Sequence, residues 1–258
     1  MCGSGHDAVT MALGTLPLGS PGADDRLPRG GLRDELLRPR DRSGEECLVV
    51  DPGIGVEDRL AEVCRENGLR PAAVLLTHGH LDHVYAVTPV CGGDTAASLP
   101  AYIHGDDRYR LENPLASMDA GLLAMLEQEF GRRATWTEPS NVVDLVEGAV
   151  LRLAGLEVAV AHAPGHTEGS VMFTVPDLPS QLGASSGLSA TCLSGDVLFA
   201  GSIGRTDLAG GSGEAMTRSL RDVVLPMADD TLVLPGHGPS TTIGRERDTN
   251  PYLQGLTA

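Results

Sequence analysis

Residues 77–83 read THGHLDH. Three of the chain's 8 histidines, His78, His80 and His83, crowd into this stretch, with Asp82 between the last two. At such a histidine content, three at fixed spacing arise by chance in about one chain in a hundred. Just before them, AAVLLTH over 72–78 is an unbroken apolar run of the length of a buried strand. Before that, apolar residues recur with helical period at Val56, Leu60, Val63 and Cys64, and Gly68 stands as a cap to a helix over 56–67. The histidines therefore leave a strand that follows a helix. That layout puts them at the C-terminal edge of a sheet, where ligand sites gather.

Working outward, the other unusual polar residues also fall at strand ends. His166, in APGHTEGS, follows a strand read over 156–162, and His237, in PGHGP, follows one over 231–234. Asp196, in LSGDVLF, reads as lying inside an apolar strand over 191–199. A carboxylate there must be paired or bound to a cation, because burying it alone costs several kcal/mol. Neutral imidazoles and carboxylates are natural ligands of Zn²⁺, with Fe or Mn as alternatives. Five histidines and two aspartates exceed the needs of one tetrahedral ion, so the count points to two divalent ions held close together.

The remaining pattern is strands, helix and strands again, in two similar halves. Segments 34–40 and 46–50 read as a hairpin across a turn at 41–44. A helix is expected from 84–90 and a longer one over 113–130, opened by Pro114 and closed by Gly131. Strands are expected at 141–146, 149–153 and 170–175, a surface loop at 176–190, and a helix at 213–225. Two sheets packed together with helices outside fit this order better than one parallel sheet. The Gly-rich segment 1–24 reads as a flexible lead-in.

Composition excludes several classes. A formal charge of −16 opposes binding to nucleic acid, and no apolar run approaches a membrane span. The 5 cysteines, Cys2, Cys47, Cys64, Cys91 and Cys192, are odd in number and nowhere spaced as CxxC, so free thiols and a cytoplasmic setting are expected. Cys91 and Cys192 read as small buried apolar residues. The expected partner is a small molecule, and the oligomeric state is left open.

Taken together, THGHLDH, APGHTEGS, SGDVLF and PGHGP resemble the metallo-β-lactamase superfamily. The resemblance is strongest to its glyoxalase II-like branch, the hydroxyacylglutathione hydrolases, in short forms that lack the C-terminal helical domain. It runs from about residue 33 to 252 and takes in the loop GSIGRTDLAGGS (201–212) and the tail TTIGRERDTNPYL (241–253). It implies an α/β fold, a four-layer αββα sandwich, as one hydrolase domain over 25–258. It also implies that His78, His80 and His166 hold one ion, that Asp82, His83 and His237 hold the other, and that Asp196 bridges them. Asp51 resembles the strand-end aspartate that orients a metal ligand from behind; its competing reading is a turn former in DPG. The implied reaction is hydrolysis of a small thioester, S-lactoylglutathione or another low-molecular-weight thiol conjugate, by a water that the two ions activate and Asp82 orients.

Departures from the branch fall on the thiol carrier. Arg205 stands where the family has a glutathione-contacting Lys, and Asp207 and Pro239 replace two tyrosines that contact the thiol. Arg205 is thus a candidate for binding a substrate carboxylate, or else a partner for Asp207. Persulfide dioxygenases, which use a single iron, share the ligand set and a similar GRTD loop, and acyl-homoserine-lactone lactonases share the metal residues; both stand as alternatives. His104 and His162 read as structural, and Glu246, Arg247 and Asn250 as pinning the tail.

Overall fold

A computed structural model describes residues 8–14, 32–39, 46–93, 98–117, 121, 123–124, 127–128, 134–176, 178 and 186–256. Two six-stranded sheets make up the centre. The first runs β1 (Ala8–Gly14), β2 (Leu32–Pro39), β3 (Glu46–Val50), β4 (Arg70–Leu75), β5 (Ala101–His104) and β6 (Val142–Leu145), in that spatial order. Its first three strands are antiparallel, and β3 to β6 are parallel. The second contains β7 (Val150–Leu153), β8 (Leu156–His162), β9 (Val171–Val175), β10 (Ala190–Gly195), β13 (Thr231–Pro235) and β14 (Thr241–Thr242), in the order β14-β13-β10-β9-β8-β7. Between β10 and β13 the short strands β11 (Leu198–Phe199) and β12 (Ser202–Ile203) pair as a ribbon.

Strand alternation assigns each residue to a layer. In β3, Leu48 and Val50 point between the sheets, while Cys47 and Val49 point to the outer face with Leu60 and Val63 of the helix α1 (Glu57–Asn67). In β4, Ala73 and Leu75 face inward and Val74 outward. The second sheet answers with Leu156, Val158, Val160, Val171, Phe173 and Val175. Its outer face, through Met172, Cys192 and Val233, packs on Met216 and Leu220 of the helical segment that starts at Gly213. Helix, sheet, sheet and helix are therefore four layers, the αββα sandwich expected from the sequence. Because each half has its own apolar outer face as well as the shared one, the strand ends of both sheets meet along one edge. Thr77 O, past β4, accepts the Val171 amide of β9 there (2.8 Å), and within the second sheet Gly195 O accepts that of Gly236 (2.9 Å).

Several local expectations change. Ala8–Gly14, inside the segment read as a flexible lead-in, is a strand paired antiparallel with β2. Its VTMAL core has the apolar and β-branched content of a strand, which the surrounding glycines masked in the sequence. The rest of 1–24 lies outside the described residues. The helix expected from 84–90 is two short turns, Leu81–Val84 and Val87–Val90, so the first begins inside THGHLDH. That expected over 113–130 opens as a 3-10 turn, Pro114–Ser117; most of 118–130 lies outside the described residues, as does most of the loop 176–190. The helix at 213–225 is α-helical over Gly213–Ser219 and wider, π-type, over Leu220–Val224.

Asp196 does not lie within a strand. β10 stops at Gly195, whose φ of 47° is left-handed, and Asp196 occupies the turn before β11. The tail is pinned as expected. Fully buried Glu246 accepts from the Gly201 amide, the Thr241 hydroxyl and the Asn250 amide, and Arg247 donates to Leu225 O and Met227 O. Cys47, Cys64, Cys91 and Cys192 are buried and form no disulfide; Cys2 lies outside the described residues. No helix among the described residues is long and apolar enough to cross a membrane.

Candidate metal centre

The site is built from the loop that leaves β4. Asp51, just past β3, bends the chain with a φ of 47° and turns its carboxylate onto that loop. Its Oδ1 accepts the Thr77 amide (2.7 Å), and its Oδ2 accepts the Thr77 hydroxyl (2.6 Å) and His83 Nδ1 (3.0 Å). This wiring fixes two ring tautomers. The hydroxyl proton of Thr77 is spent on Asp51, so its oxygen acts as acceptor for His78 Nδ1, 3.0 Å away. His78 Nε2 and His83 Nε2 are left pointing away from Asp51. His166 follows the same rule from the other sheet, since its Nδ1 donates to Arg205 O (2.8 Å) and frees Nε2. In each case a hydrogen bond at the rear of the ring aims the other nitrogen forward, the arrangement typical of metal-ligating histidines.

The forward atoms converge in two groups. His80 Nδ1 lies 2.8 Å from His166 Nε2, and His78 completes that triad. Two ring nitrogens this close need a proton or a cation between them. In the second group, His237 Nε2 is 3.2 Å from Asp82 Oδ2 and 3.3 Å from His83 Nε2. Asp196 stands between the groups. Its Oδ2 is 3.6 Å from His166 Nε2 and 3.5 Å from His237 Nε2, and its Oδ1 is 3.5 Å from His83 Nε2. A tetrahedral ion with bonds of about 2.0–2.1 Å needs ligand atoms about 3.3 Å apart, close to these separations. Two buried polar atoms of the described residues lack any hydrogen-bond partner, and both belong here: His78 Nε2 and Asp196 Oδ1. Buried orphans of this kind are rare and call for an ion or a water. The donor set, its spacing and its orphans thus fit two divalent ions, which the residues implied by the sequence could hold.

The two groups differ electrostatically. Among the three histidines, burial and the neighbouring rings hold His78 well below the ordinary imidazole range. Burial, then the adjacent His166, brings His80 down to about 3. Both rings are neutral, as ligands must be. In the other group burial also opposes charge on His83, but Asp82, Asp196 and Asp51 outweigh it and push the ring up to about 10. His237 is raised too, first by its hydrogen bond to Asp82. Asp82 is in turn held well below the carboxylate range, because His83 and His237 outweigh the cost of its burial.

All seven ligand candidates and Asp51 therefore come together. Arg205 takes the second of its two sequence readings, its exposed guanidinium forking onto Asp207 (2.8 and 2.7 Å), while its carbonyl holds His166. His104 and His162 stack, with centroids 3.9 Å apart, and with Asp106 form a further group of ligand-type atoms. There one nitrogen of each ring is occupied, since His162 Nε2 donates to Glu168 O (2.8 Å) and His104 Nδ1 accepts from the Asp106 amide (3.3 Å). The sequence reading passed over Asp107. Fully buried, its carboxylate accepts from Gly79 and Gly169, on either side of the cleft. The only signal was a pair of aspartates just beyond a strand.

Comparison with known proteins agrees with this geometry. The family model of the metallo-beta-lactamase superfamily matches residues 37–179. An uncharacterised protein of Mycobacterium tuberculosis, Rv2581c, is 43% identical over 90% of this chain and 97% of its own. The hydroxyacylglutathione hydrolase GloC of Haemophilus influenzae is 33% identical over 81% of this chain and 88% of its own. Among solved structures, the BLEG-1 B3 metallo-beta-lactamase superposes with a TM-score of 0.69 at 32% identity, covering 96% of this chain and 100% of that one.

Proposed function

Since the chain belongs to the metallo-β-lactamase superfamily, we propose that it is a metal-dependent hydrolase of small thioesters, of the glyoxalase II-like kind. The convergence of six nitrogen and carboxylate ligands on two points, with Asp196 facing both and two buried polar atoms left open, carries the hydrolytic reading. The likeness to GloC supports the thioester as the bond cleaved.

In this reading His78, His80 and His166 hold one divalent ion, Asp82, His83 and His237 the other, and Asp196 sets the distance between them. Zinc is the ion best suited to the ligands, with iron and manganese as alternatives. Bound there, such ions lower the pKa of water towards about 7 and polarise the acyl carbonyl. The chain's own residues supply orientation. Asp51 and the Arg205 carbonyl hold three rings in the ligating tautomer. Asp82, with a side chain 40% exposed, keeps an oxygen free to accept from a water at the cleft mouth. No serine or cysteine nucleophile is needed.

Metal analysis of the purified protein, beside assays on S-lactoylglutathione, another S-acyl thiol, an acyl-homoserine lactone, a β-lactam and a thiol persulfide, tests the proposal. Two ions per chain with thioester cleavage are expected. Oxygen uptake with persulfide and a single iron, or turnover of the β-lactam or lactone alone, would reject the thioester reading.

A further inference from the structure

We infer that Asp107 is a positioning residue for the three-histidine pocket. It sits in the 3-10 turn Gly105–Leu111, far in sequence from every ligand, and has no exposed surface. Each of its oxygens takes two donors. Oδ2 accepts the Gly79 amide (2.8 Å) and the Thr167 hydroxyl (2.8 Å). Oδ1 accepts the Gly169 amide (2.9 Å) and Arg110 Nε (3.2 Å). Gly79 lies between His78 and His80, and Thr167 follows His166. One carboxylate therefore ties the loop that leaves the first sheet to the loop that leaves the second, at the residues next to all three ring ligands.

Steric fit gives an independent sign of the same docking. A Cβ on Gly79 would come within 2.6 Å of Arg110 Cβ, and one on Gly169 within 2.7 Å of Asp107 Cβ. The glycines of THGHLDH and HTEGS are thus the places where this turn presses against both ligand loops. Arg110 extends the clamp, donating to Glu168 (2.6 Å) and to Ala209 O (2.9 Å).

The wiring predicts what a near-isosteric change does. In Asp107→Asn the amide NH₂ must replace one oxygen. At Oδ1 it would face two obligate donors, the Gly169 amide and Arg110. At Oδ2 the Thr167 hydroxyl can rotate to accept, and only the Gly79 amide is orphaned. The variant therefore keeps its hold on the second sheet and releases the loop of His78 and His80. Asp51 still anchors that loop at Thr77 and His83, so the other pocket is spared.

This inference rests on the proposed metal centre. Its test compares the wild-type chain with Asp107→Asn and Thr167→Val by stepwise Co²⁺ titration, followed by the absorption of each bound ion, and by hydrogen exchange of the Gly79 and Gly169 amides. In Asp107→Asn, affinity at one pocket should drop by about 10–100-fold with the other kept, and the Gly79 amide should exchange faster while Gly169 stays protected. Thr167→Val, which removes one donor and preserves shape, should move the same pocket less. Equal loss at both pockets, or unchanged affinities beside a wild-type chain that takes up two ions, would overturn the role of Asp107. A wild-type chain that takes up no ion would overturn the metal centre and this inference with it, even if Gly79 exchange changed as described.

Discussion

The three-histidine pocket and the carboxylate pocket share Asp196 yet hold the same ring type in opposite states. His80 is pulled down to about 3, while His83 is pushed up to about 10. Burial opposes charge on both rings, the half-buried His80 and the fully buried His83, so the opposite directions come from their surroundings: other imidazoles in one case, three carboxylates in the other. The bracing differs in parallel. Asp51 touches a ring directly and adds its charge to the pocket, whereas Asp107 grips only backbone and a hydroxyl there. The first pocket is pre-set to accept a cation, because its His78 and His80 rings are neutral. The second attracts a cation more strongly but first holds a proton in its place.

Removing the group that both pockets use should have the largest effect. In Asp196→Ala, kcat/KM for the thioester should fall by at least about 10³-fold, about 4 kcal/mol of transition-state stabilisation, with loss of ions from both pockets. Steady-state kinetics with metal analysis checks this, and an Ala variant that keeps two ions would break the symmetry drawn around Asp196. Next comes Asp51→Asn. It should weaken the carboxylate pocket by about 10–100-fold, because the amide cannot accept from the Thr77 amide, the Thr77 hydroxyl and His83 at once. Stepwise titration should find the three-histidine pocket less affected, the reverse of the pattern expected for Asp107→Asn.

Those two aspartates also mark how far the sequence could be read. The ligand candidates were legible because seven polar residues at strand ends form motifs whose spacing has a chemical reason. Asp51 was legible only through the family resemblance, beside a competing reading as a turn former in DPG. Asp107 was not, since Asp106 and Asp107 are adjacent and chemically identical in the sequence. Only the 3-10 turn sends one to solvent and the other into the seam between sheets. Asp196 was read in the wrong element, because an apolar run such as TCLSGDVLF does not reveal a left-handed glycine. The layers were legible from the order of strands and helices in two similar halves. β1 was not, because a lone strand set among glycines gains its pairing only from β2.

A third prediction turns the electrostatic contrast into a pH profile. His83 binds its proton more tightly in the folded chain than at its ordinary value of 6.5. The stability it lends is therefore whole below about 6.5 and lost as pH rises through about 10. His80 does the opposite: the fold resists its protonation, so stability falls as pH drops from 6.5 towards about 3. Metal-free protein should lose several degrees of Tm between pH 7 and 10, given about 2–4 °C per kcal/mol for a chain of this size. Loaded protein, with an ion where the proton was, should not show that alkaline loss. Ion uptake at pH 7.5 should also release protons, read with an indicator dye. Parallel Tm profiles for the two forms would remove the contrast between the pockets.

The smallest effect is expected at the rim. Arg205 could bind a substrate carboxylate, but its guanidinium already meets both oxygens of Asp207, and both side chains face water. What Arg205 gives the three-histidine pocket is its backbone carbonyl, which any residue would provide to His166. Arg205→Ala should therefore leave ion affinity and kcat unchanged, and an exposed ion pair of this kind contributes little to stability. KM for S-lactoylglutathione should move less than about threefold, since the loss of a ligand's charged partner would cost far more, about 1.5–3 kcal/mol. The comparison with Asp207→Ala sharpens the point. If the pair only braces the loop, the two variants behave alike. If Asp207 instead restrains an arginine that serves the substrate, freeing it should lower KM while Arg205→Ala raises it about tenfold or more, and the rim would then belong to the site as fully as the two pockets do.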